Sequence, residues 1–249
     1  MIPISPKLEA FLRTPTTRVC VITGAGVSSE SGIPTFRGKE GYWKTFSPEV
    51  LASRDGFSQN PQLVWEWYLH RQKICSEAMP NPSHDTIAKM EQFFPNFLLV
   101  TQNVDGLHKK AGSQKFVEIH GNLHISKSFE VCQKQCRFPI DSSVQESFAK
   151  GEIPHCKDCK KILRPNVVWF GETYDQTKLE KCFAFLETAD LVLVAGTSGL
   201  VPIPVYLATH AKKHGAFVVE LNTEMSELTK IADEFLEGKC GSTFPELFR

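Results

Sequence analysis

Four sets of residues in this 249-residue chain have the types and spacing to do chemistry. The first is Gly24-Ala25-Gly26, followed by small hydroxyl residues that include Ser28. Two glycines let a backbone turn tightly and approach a ligand without Cβ obstruction. Free N–H groups opening the next helical turn then face a phosphate. The outline is a nucleotide cradle, although an ordinary strand-to-helix turn shares the glycine pair. It is not the G-x-G-x-x-G dinucleotide fingerprint, because Ser29 stands where the third glycine belongs. Nor does an acidic residue close a second strand about 20 residues on, where a ribose hydroxyl would need it. Instead the chain continues Ser31-Gly32-Ile33-Pro34-Thr35-Phe36-Arg37-Gly38, a rigid turn carrying an aromatic ring and a guanidinium.

The second set is sulfur. Cys132-x3-Cys136 and Cys156-x2-Cys159 stand 19 residues apart. Each close pair places two thiolates on one turn, and two such knuckles complete a tetrahedron. A fourth sulfur leaves no open position for water, so the expected metal is one structural zinc. His124 and His155 are alternative ligands, disfavoured by the preference of zinc for a sulfur-rich site. Cys20, Cys75, Cys182 and Cys240 are scattered and read as small core hydrophobes. The third set is His120, a side chain that titrates near neutrality and suits a general base. It lies downstream of Gln102-Asn103-Val104-Asp105. The fourth is Tyr68 and Arg71, three apart on one face of an expected helix. A packed tyrosine beside a solvated arginine is the plain reading of that pair.

The elements that must position these groups alternate. β-branched apolar runs predict strands at 19–23, 97–101, 115–119, 166–170, 191–195 and 216–221. Helical spacing predicts a leading helix over 6–17 broken at Pro15, an aromatic helix over 61–78, and one over 83–93 with Ser83 as its N-cap. Further helices are expected near 177–188 and 203–214, and residues 41–61 read as a loop with helical pieces. Alternation of this kind implies an α/β fold, a Rossmann-like parallel sheet with helices on both faces. Four strands end in polar turns: Gly24-Ala25-Gly26, Gln102-Asn103, His120-Gly121-Asn122 and Gly196-Thr197-Ser198. Ligands of such sheets sit outside the carboxyl ends of the strands. The expected organisation is one catalytic domain, 1–249. Its large part spans 1–40, 95–122 and 166–249, with a helical insert at 41–94 and a zinc-binding insert at 123–165.

Composition sets the outer bounds. Lys+Arg and Asp+Glu are equal at 28 each, so there is no electrostatic footprint for nucleic acid or an anionic membrane. The apolar runs are too short to span a bilayer. The N-terminus lacks a secretory core or an Arg-rich presequence. A soluble cytoplasmic protein is expected, in which clustered cysteines point to metal rather than to disulfides.

Seven blocks in order resemble one family. Gly24-Ala25-Gly26-Val27-Ser28, with Ser31-Gly32-Ile33-Pro34 and Phe36-Arg37, is similar to the NAD-binding signature of the sirtuins. So are Thr101-Gln102-Asn103-Val104-Asp105-Gly106-Leu107-His108, then His120-Gly121-Asn122, then the four cysteines. Val167-Val168-Trp169-Phe170-Gly171-Glu172, Gly196-Thr197-Ser198 and Asn222-Thr223-Glu224 complete the set, which extends from about Arg18 to Cys240.

The resemblance implies an NAD-dependent protein-lysine deacylase whose active site lies between the Rossmann-like domain and a small zinc-ribbon and helical module. In that chemistry the acyl oxygen of the modified lysine attacks C1′ of the nicotinamide ribose, expelling nicotinamide and leaving an alkylimidate. His120 is then the base that deprotonates a ribose hydroxyl. The products are free lysine, O-acyl-ADP-ribose and nicotinamide. His120, Asn103 and Asp105 form the expected catalytic group, the latter two as amide and carboxylate partners for a carboxamide. Arg37 can fork onto pyrophosphate, and Phe36 can shield a cationic intermediate from water. Expected NAD contacts also include Gly24, Ala25, Gly26, Ser28, Thr35 and Gln102. Gly196, Thr197, Ser198, Asn222, Thr223, Glu224 and Cys240 complete them. Zinc takes no part in the reaction.

The Tyr-x-x-Arg spacing of Tyr68 and Arg71, the neighbouring Trp65-Glu66-Trp67, Thr35 and the stretch from Gly38 to Trp43 all resemble one sirtuin branch. That branch removes succinyl, malonyl and glutaryl groups, its Tyr-Arg pair reading the acyl carboxylate through charge-assisted hydrogen bonds. A small neutral acyl group would leave room for water beside the clamp, so activity on both acetyl- and succinyl-lysine is expected. Val168, Phe170, Gly171 and Glu172 are expected to meet the substrate. Rival readings are protein mono-ADP-ribosyl transfer, which would need the same cradle, and a non-catalytic NAD-binding module, which would dispense with His120 or Asn103. A dehydrogenase is disfavoured by the missing third glycine and ribose acid.

Overall fold

The computed structural model describes residues 2–36 and 47–249. The chain opens with α1 (Pro6–Arg13), β1 (Val19–Thr23) and the single turn α2 (Gly26–Ser29). A helical stretch follows: α3 (Pro48–Leu51), α4 (Arg54–Gln59), α5 (Pro61–Glu77) and α6 (Pro82–Phe93). Next come β2 (Phe97–Thr101), α7 (Leu107–Lys110), β3 (Phe116–Glu118), β4 (Gly121–Ser128), β5 (Arg137–Pro139), α8 (Ser142–Ala149) and β6 (Leu163–Val167). The chain closes with α9 (Gln176–Leu186), β7 (Leu191–Ala195), α10 (Pro202–Lys213), β8 (Phe217–Asn222), β9 (Glu234–Glu237) and α11 (Cys240–Leu247). Among the described residues no helix is long and apolar enough to cross a membrane.

Six strands form a parallel sheet in the order β3-β2-β1-β7-β8-β9. Strands β1, β2 and β7 are buried at every position because both faces of the sheet are covered. Alternate residues feed two cores. Val19, Val21, Leu99 and Leu193 pack toward α1, α6 and α11, while Cys20, Ile22, Val100 and Val192 pack toward α9 and α10. The strand order reverses between β1 and β7. That reversal sets the turns after these two strands side by side, at the edge where an α/β sheet binds its ligand.

A second sheet, β5-β4-β6, is antiparallel. It shares a third core with the helical stretch, in which Phe57, Trp65 and Trp67 meet Ile140, Val144, Leu163 and Trp169. Here the structure corrects a sequence expectation. The strand expected at 166–170 runs instead from Leu163 to Val167 and pairs with β4, outside the parallel sheet. Arg164 and Pro165 hid it, since a charge and a residue without an N–H argue against a buried strand. Arg164 is nevertheless fully buried, and its guanidinium donates to Glu172 Oε1 at 2.5 Å and to the Pro165 and Val167 carbonyls. Strand β9 was also missed, its apolar pair being flanked by Glu234 and Glu237. The N-cap of α6 is Asn81 rather than Ser83. Asn81 Oδ1 accepts from Ser83 N at 3.0 Å, and Asn81 N donates to His84 Nδ1 at 3.3 Å.

Candidate active site

The turns after β1 and β7 lock together. Gly24 N donates to Ala195 O at 2.9 Å and Gly26 N to Gly196 O at 2.8 Å. A Cβ on Gly26 would lie 2.8 Å from Gly196 Cα, and one on Gly196, at φ +60°, would lie 2.6 Å from Val27 N. Only glycine permits that approach, so one function of the pair is to let two loops meet. The turn after β8 joins them through Asn222 Nδ2, which donates to Thr197 O at 2.9 Å. These three turns border a cavity of about 1010 Å³. Ala25, Gly26, Thr35 and Phe36 contribute from the first, Gly196, Thr197 and Ser198 from the second, and Asn222, Thr223 and Glu224 from the third.

Gln102, Asn103 and His120 form part of the same wall. Behind Asn103 lies a buried polar chain: Asn103 Nδ2 donates to Ser28 Oγ at 3.0 Å, and Ser28 Oγ donates to Asp105 Oδ2 at 2.8 Å. The other carboxylate oxygen of Asp105 accepts from Leu107 N at 2.8 Å. Burial raises the pKa of this carboxyl, against the hydrogen bonds from Leu107 and Ser28. Below it, Thr23 Oγ1 donates to Thr101 Oγ1 at 2.9 Å and lies 3.0 Å from His108 Nε2.

His120 sits between β3 and β4, with Nδ1 at 3.0 Å from Gln102 O. A carbonyl only accepts, so Nδ1 carries the proton and Nε2 keeps its lone pair. Nε2 lies 3.4 Å from the Tyr174 hydroxyl, whose ring stacks on the imidazole at 5.7 Å between centroids. Burial pushes the imidazole pKa down to about 4, although the bond to Gln102 opposes the shift. The ring is therefore neutral at pH 7, with Nε2 able to take a proton.

The other end of the cavity is aromatic and holds a buried cation. Tyr68 and Arg71 project from α5 and are 3% and 4% exposed. The Arg71 guanidinium carbon stands 4.7 Å from the Phe36 ring centre, 4.6 Å from Trp67 and 5.7 Å from Tyr68. Trp169 Nε1 donates to the Tyr68 hydroxyl at 2.8 Å. Val168, Phe170, Gly171 and Glu172 line the cavity from the segment after β6. Phe170 is half exposed, and its N–H donates to Ala52 O.

Away from the cavity, the four clustered cysteines meet. The sulfurs of Cys132 and Cys136 are 3.4 Å apart, and Cys159 joins them within 4.8 Å, as Cys156 does with Cys136. A tetrahedral zinc with Zn–S near 2.3 Å has sulfur–sulfur edges of about 3.8 Å, so the donor set fits that ion. Cys159 N and Asp158 N donate to Cys156 Sγ, as expected of a thiolate knuckle. His124 and His155 are engaged elsewhere, with the Asp105 and Ile153 carbonyls.

A Sir2 family model matches residues 24–202. An NAD-dependent protein deacylase of Leptospira interrogans is 48% identical over 232 residues, covering 93% of this chain and 92% of the relative. An NAD-dependent protein deacylase of Thermococcus kodakarensis is 45% identical over 227 residues, 91% of this chain and 88% of the relative. This chain belongs to the Sir2 family. Among solved structures, a Sir2 homologue in complex with NAD superposes with a TM-score of 0.88 at 37% identity, covering 100% of this chain and 94% of the other. A Sir2 complex with a p53 peptide and NAD+ gives 0.85 at 26% identity, with 98% and 97% covered.

In this Sir2-family fold most of the residues singled out in the sequence face one cavity. Gly24, Ser28 and Asp105 stand behind its wall, and Cys240, the first residue of α11, is packed in the core. Arg37 and the stretch from Gly38 to Trp43 lie outside the described residues. Sequence reasoning passed over Tyr174, Trp169 and Arg164 as site residues. Trp169 lay inside a quoted motif block, but nothing in its spacing announced the bond to Tyr68.

Proposed function

We propose that this chain is an NAD-dependent protein-lysine deacylase that removes both acetyl and succinyl groups. The observation that carries the reading is a single cavity holding three features. They are the glycine-lined loops of an α/β nucleotide site, a neutral histidine whose unprotonated nitrogen lies beside the Tyr174 hydroxyl, and a buried Arg-Tyr pair. The names of the close relatives support the activity, and the homologue solved with NAD supports the cofactor.

The fit to a dinucleotide rests on the backbone-lined turns, which meet because glycine occupies both, and on a volume at the upper end for small-molecule sites. Bound NAD supplies a ribose carbon from which nicotinamide can leave. In this reading the turns at Gly24-Ala25-Gly26, Gly196-Thr197-Ser198 and Asn222-Thr223-Glu224 hold the nucleotide. Asn103, oriented by Ser28 and Asp105, presents its amide to the cavity. His120 Nε2 takes the proton of a hydroxyl, and the Gln102 carbonyl stabilises the imidazolium through Nδ1–H. Phe36 excludes water from the acyl end. Phe170, Gly171 and Glu172 border the substrate's entry. Arg71 and Tyr68 hold an acyl carboxylate, for which a guanidinium fork is well shaped.

The test is NAD-dependent acyl release from matched acetyl-lysine and succinyl-lysine peptides, with Arg71→Met in parallel. Losing a charge-assisted pair at a buried site should lower kcat/KM for the succinyl peptide about 100-fold. The acetyl value should stay within about threefold. A native protein that ignores succinyl-lysine would reduce the proposal to a deacetylase. One that acts on neither peptide would overturn it.

A further inference from the structure

Tyr68 and Trp169 are both almost fully buried, they face the same end of the cavity, and they share one hydrogen bond. Its direction is fixed by chemistry. An indole N–H only donates, so at 2.8 Å the Tyr68 oxygen must be the acceptor. A phenol carries one proton, and with Trp169 occupying an oxygen lone pair that proton has to point elsewhere. We infer that Trp169 is a positioning residue for acyl selection: its indole N–H sets the Tyr68 hydroxyl as a donor toward the cavity, where an acidic acyl group places an acceptor-only carboxylate. This rests on the acidic-acyl reading above and adds to it the residue that polarises the phenol.

The backbone of Trp169 is anchored and its indole is packed on two sides. Trp169 N donates to Glu172 Oε2 at 2.9 Å. The Arg164 guanidinium carbon lies 3.1 Å from the Trp169 ring centre, and the same guanidinium donates to Glu172 at 2.5 Å. The Phe57 ring closes another side at 5.3 Å. Arg164 is fully buried with its N–H groups directed at Glu172 and two backbone carbonyls, so the support is a satisfied network rather than a lone charge. Held this way, the indole presents its N–H to the Tyr68 oxygen. A neutral acetyl group gains nothing from a directed phenol proton, whereas a carboxylate gains a charge-assisted bond.

The decisive variant is Trp169→Phe, which keeps a ring over Arg164 and removes the donor. It should lower kcat/KM for a succinyl-lysine peptide about tenfold, through a higher KM at nearly constant kcat. The acetyl-lysine peptide should stay within about twofold and so serve as the check on folding. In a Tyr68→Phe background the same substitution should add less than about twofold, since the two act as one unit. Trp169→Met, which fills space with neither ring nor donor, must shift the succinyl-to-acetyl ratio the same way if the phenylalanine variant folds poorly. Equal losses on both peptides, or losses that multiply with Tyr68→Phe, would overturn the assignment. A native protein that cleaves succinyl-lysine and responds to Arg71→Met but not to Trp169→Phe would overturn it alone. A native protein inert toward succinyl-lysine would remove the acidic-acyl reading and this inference together.

Discussion

His120 shows how one backbone contact and burial set a residue's chemistry. The Gln102 carbonyl fixes the tautomer, and loss of hydration lowers the pKa from 6.5 to about 4. A histidine lowered in this way gains its proton only as pH falls through the lower value, so the basic form persists across the neutral range. Because kcat/KM reports the free enzyme, its acid limb should sit well below 6.5 for the acetyl peptide. His120→Ala should cost about 100- to 10,000-fold in acyl release. An acid limb centred at 6.5 or above would show that the imidazole is solvated in the working enzyme. At this scale sequence reading found the reactive types and missed their settings. Asp105 was expected as a partner for a carboxamide, and the structure has both its oxygens facing inward, to Ser28 and Leu107.

At the scale of elements, α6 is the support beneath the cradle. Its cap, Asn81, uses the amide nitrogen to donate to Val27 O at 2.8 Å and Ser31 Oγ at 3.0 Å, while its oxygen accepts from Ser83 N. One side chain thus ends a helix and ties α2 to it. Asn81→Ala should lower stability by roughly 2 kcal/mol, a cap plus buried bonds, read as a shift of the urea midpoint. It should also raise KM for NAD, because α2 loses its tether. An unchanged KM would show that the cradle holds itself in place through the Gly196 turn alone. Ser83 looked like the cap because it begins a helical pattern. Asn81 wins because Pro82 is suited to the first helical position, which leaves the preceding residue to cap.

At the scale of the whole molecule, the described residues form three apolar cores, two against the parallel sheet and one shared by the helical stretch and the cysteine-bearing sheet. The cluster of four thiols stands at the thin end of the third core, where strand β5 is only three residues long. Metal there should supply the folding energy that apolar burial does not. We expect one zinc per chain by elemental analysis, and none in Cys159→Ala. Metal removal should produce an early thermal transition, with the parallel-sheet core melting later at a temperature close to that of the loaded protein. A single unchanged transition without metal would mean the ion is dispensable to the fold.

Sequence alone determined what depends on local chemistry and period. The buried β-branched runs made the parallel sheet, the paired sulfur spacing announced the four thiols that gather in space, and the polar turns after the strands announced the residues that border the cavity. Tertiary structure decided what depends on which turn meets which. It placed β6 in the second sheet, because the pairing of β6 with β4 and the burial of Arg164 against the Trp169 ring are products of packing that no run of β-branched residues announces. It also joined Trp169 to Tyr68 across 101 residues. The direction of that hydrogen bond follows from side-chain chemistry, but its existence follows only from packing.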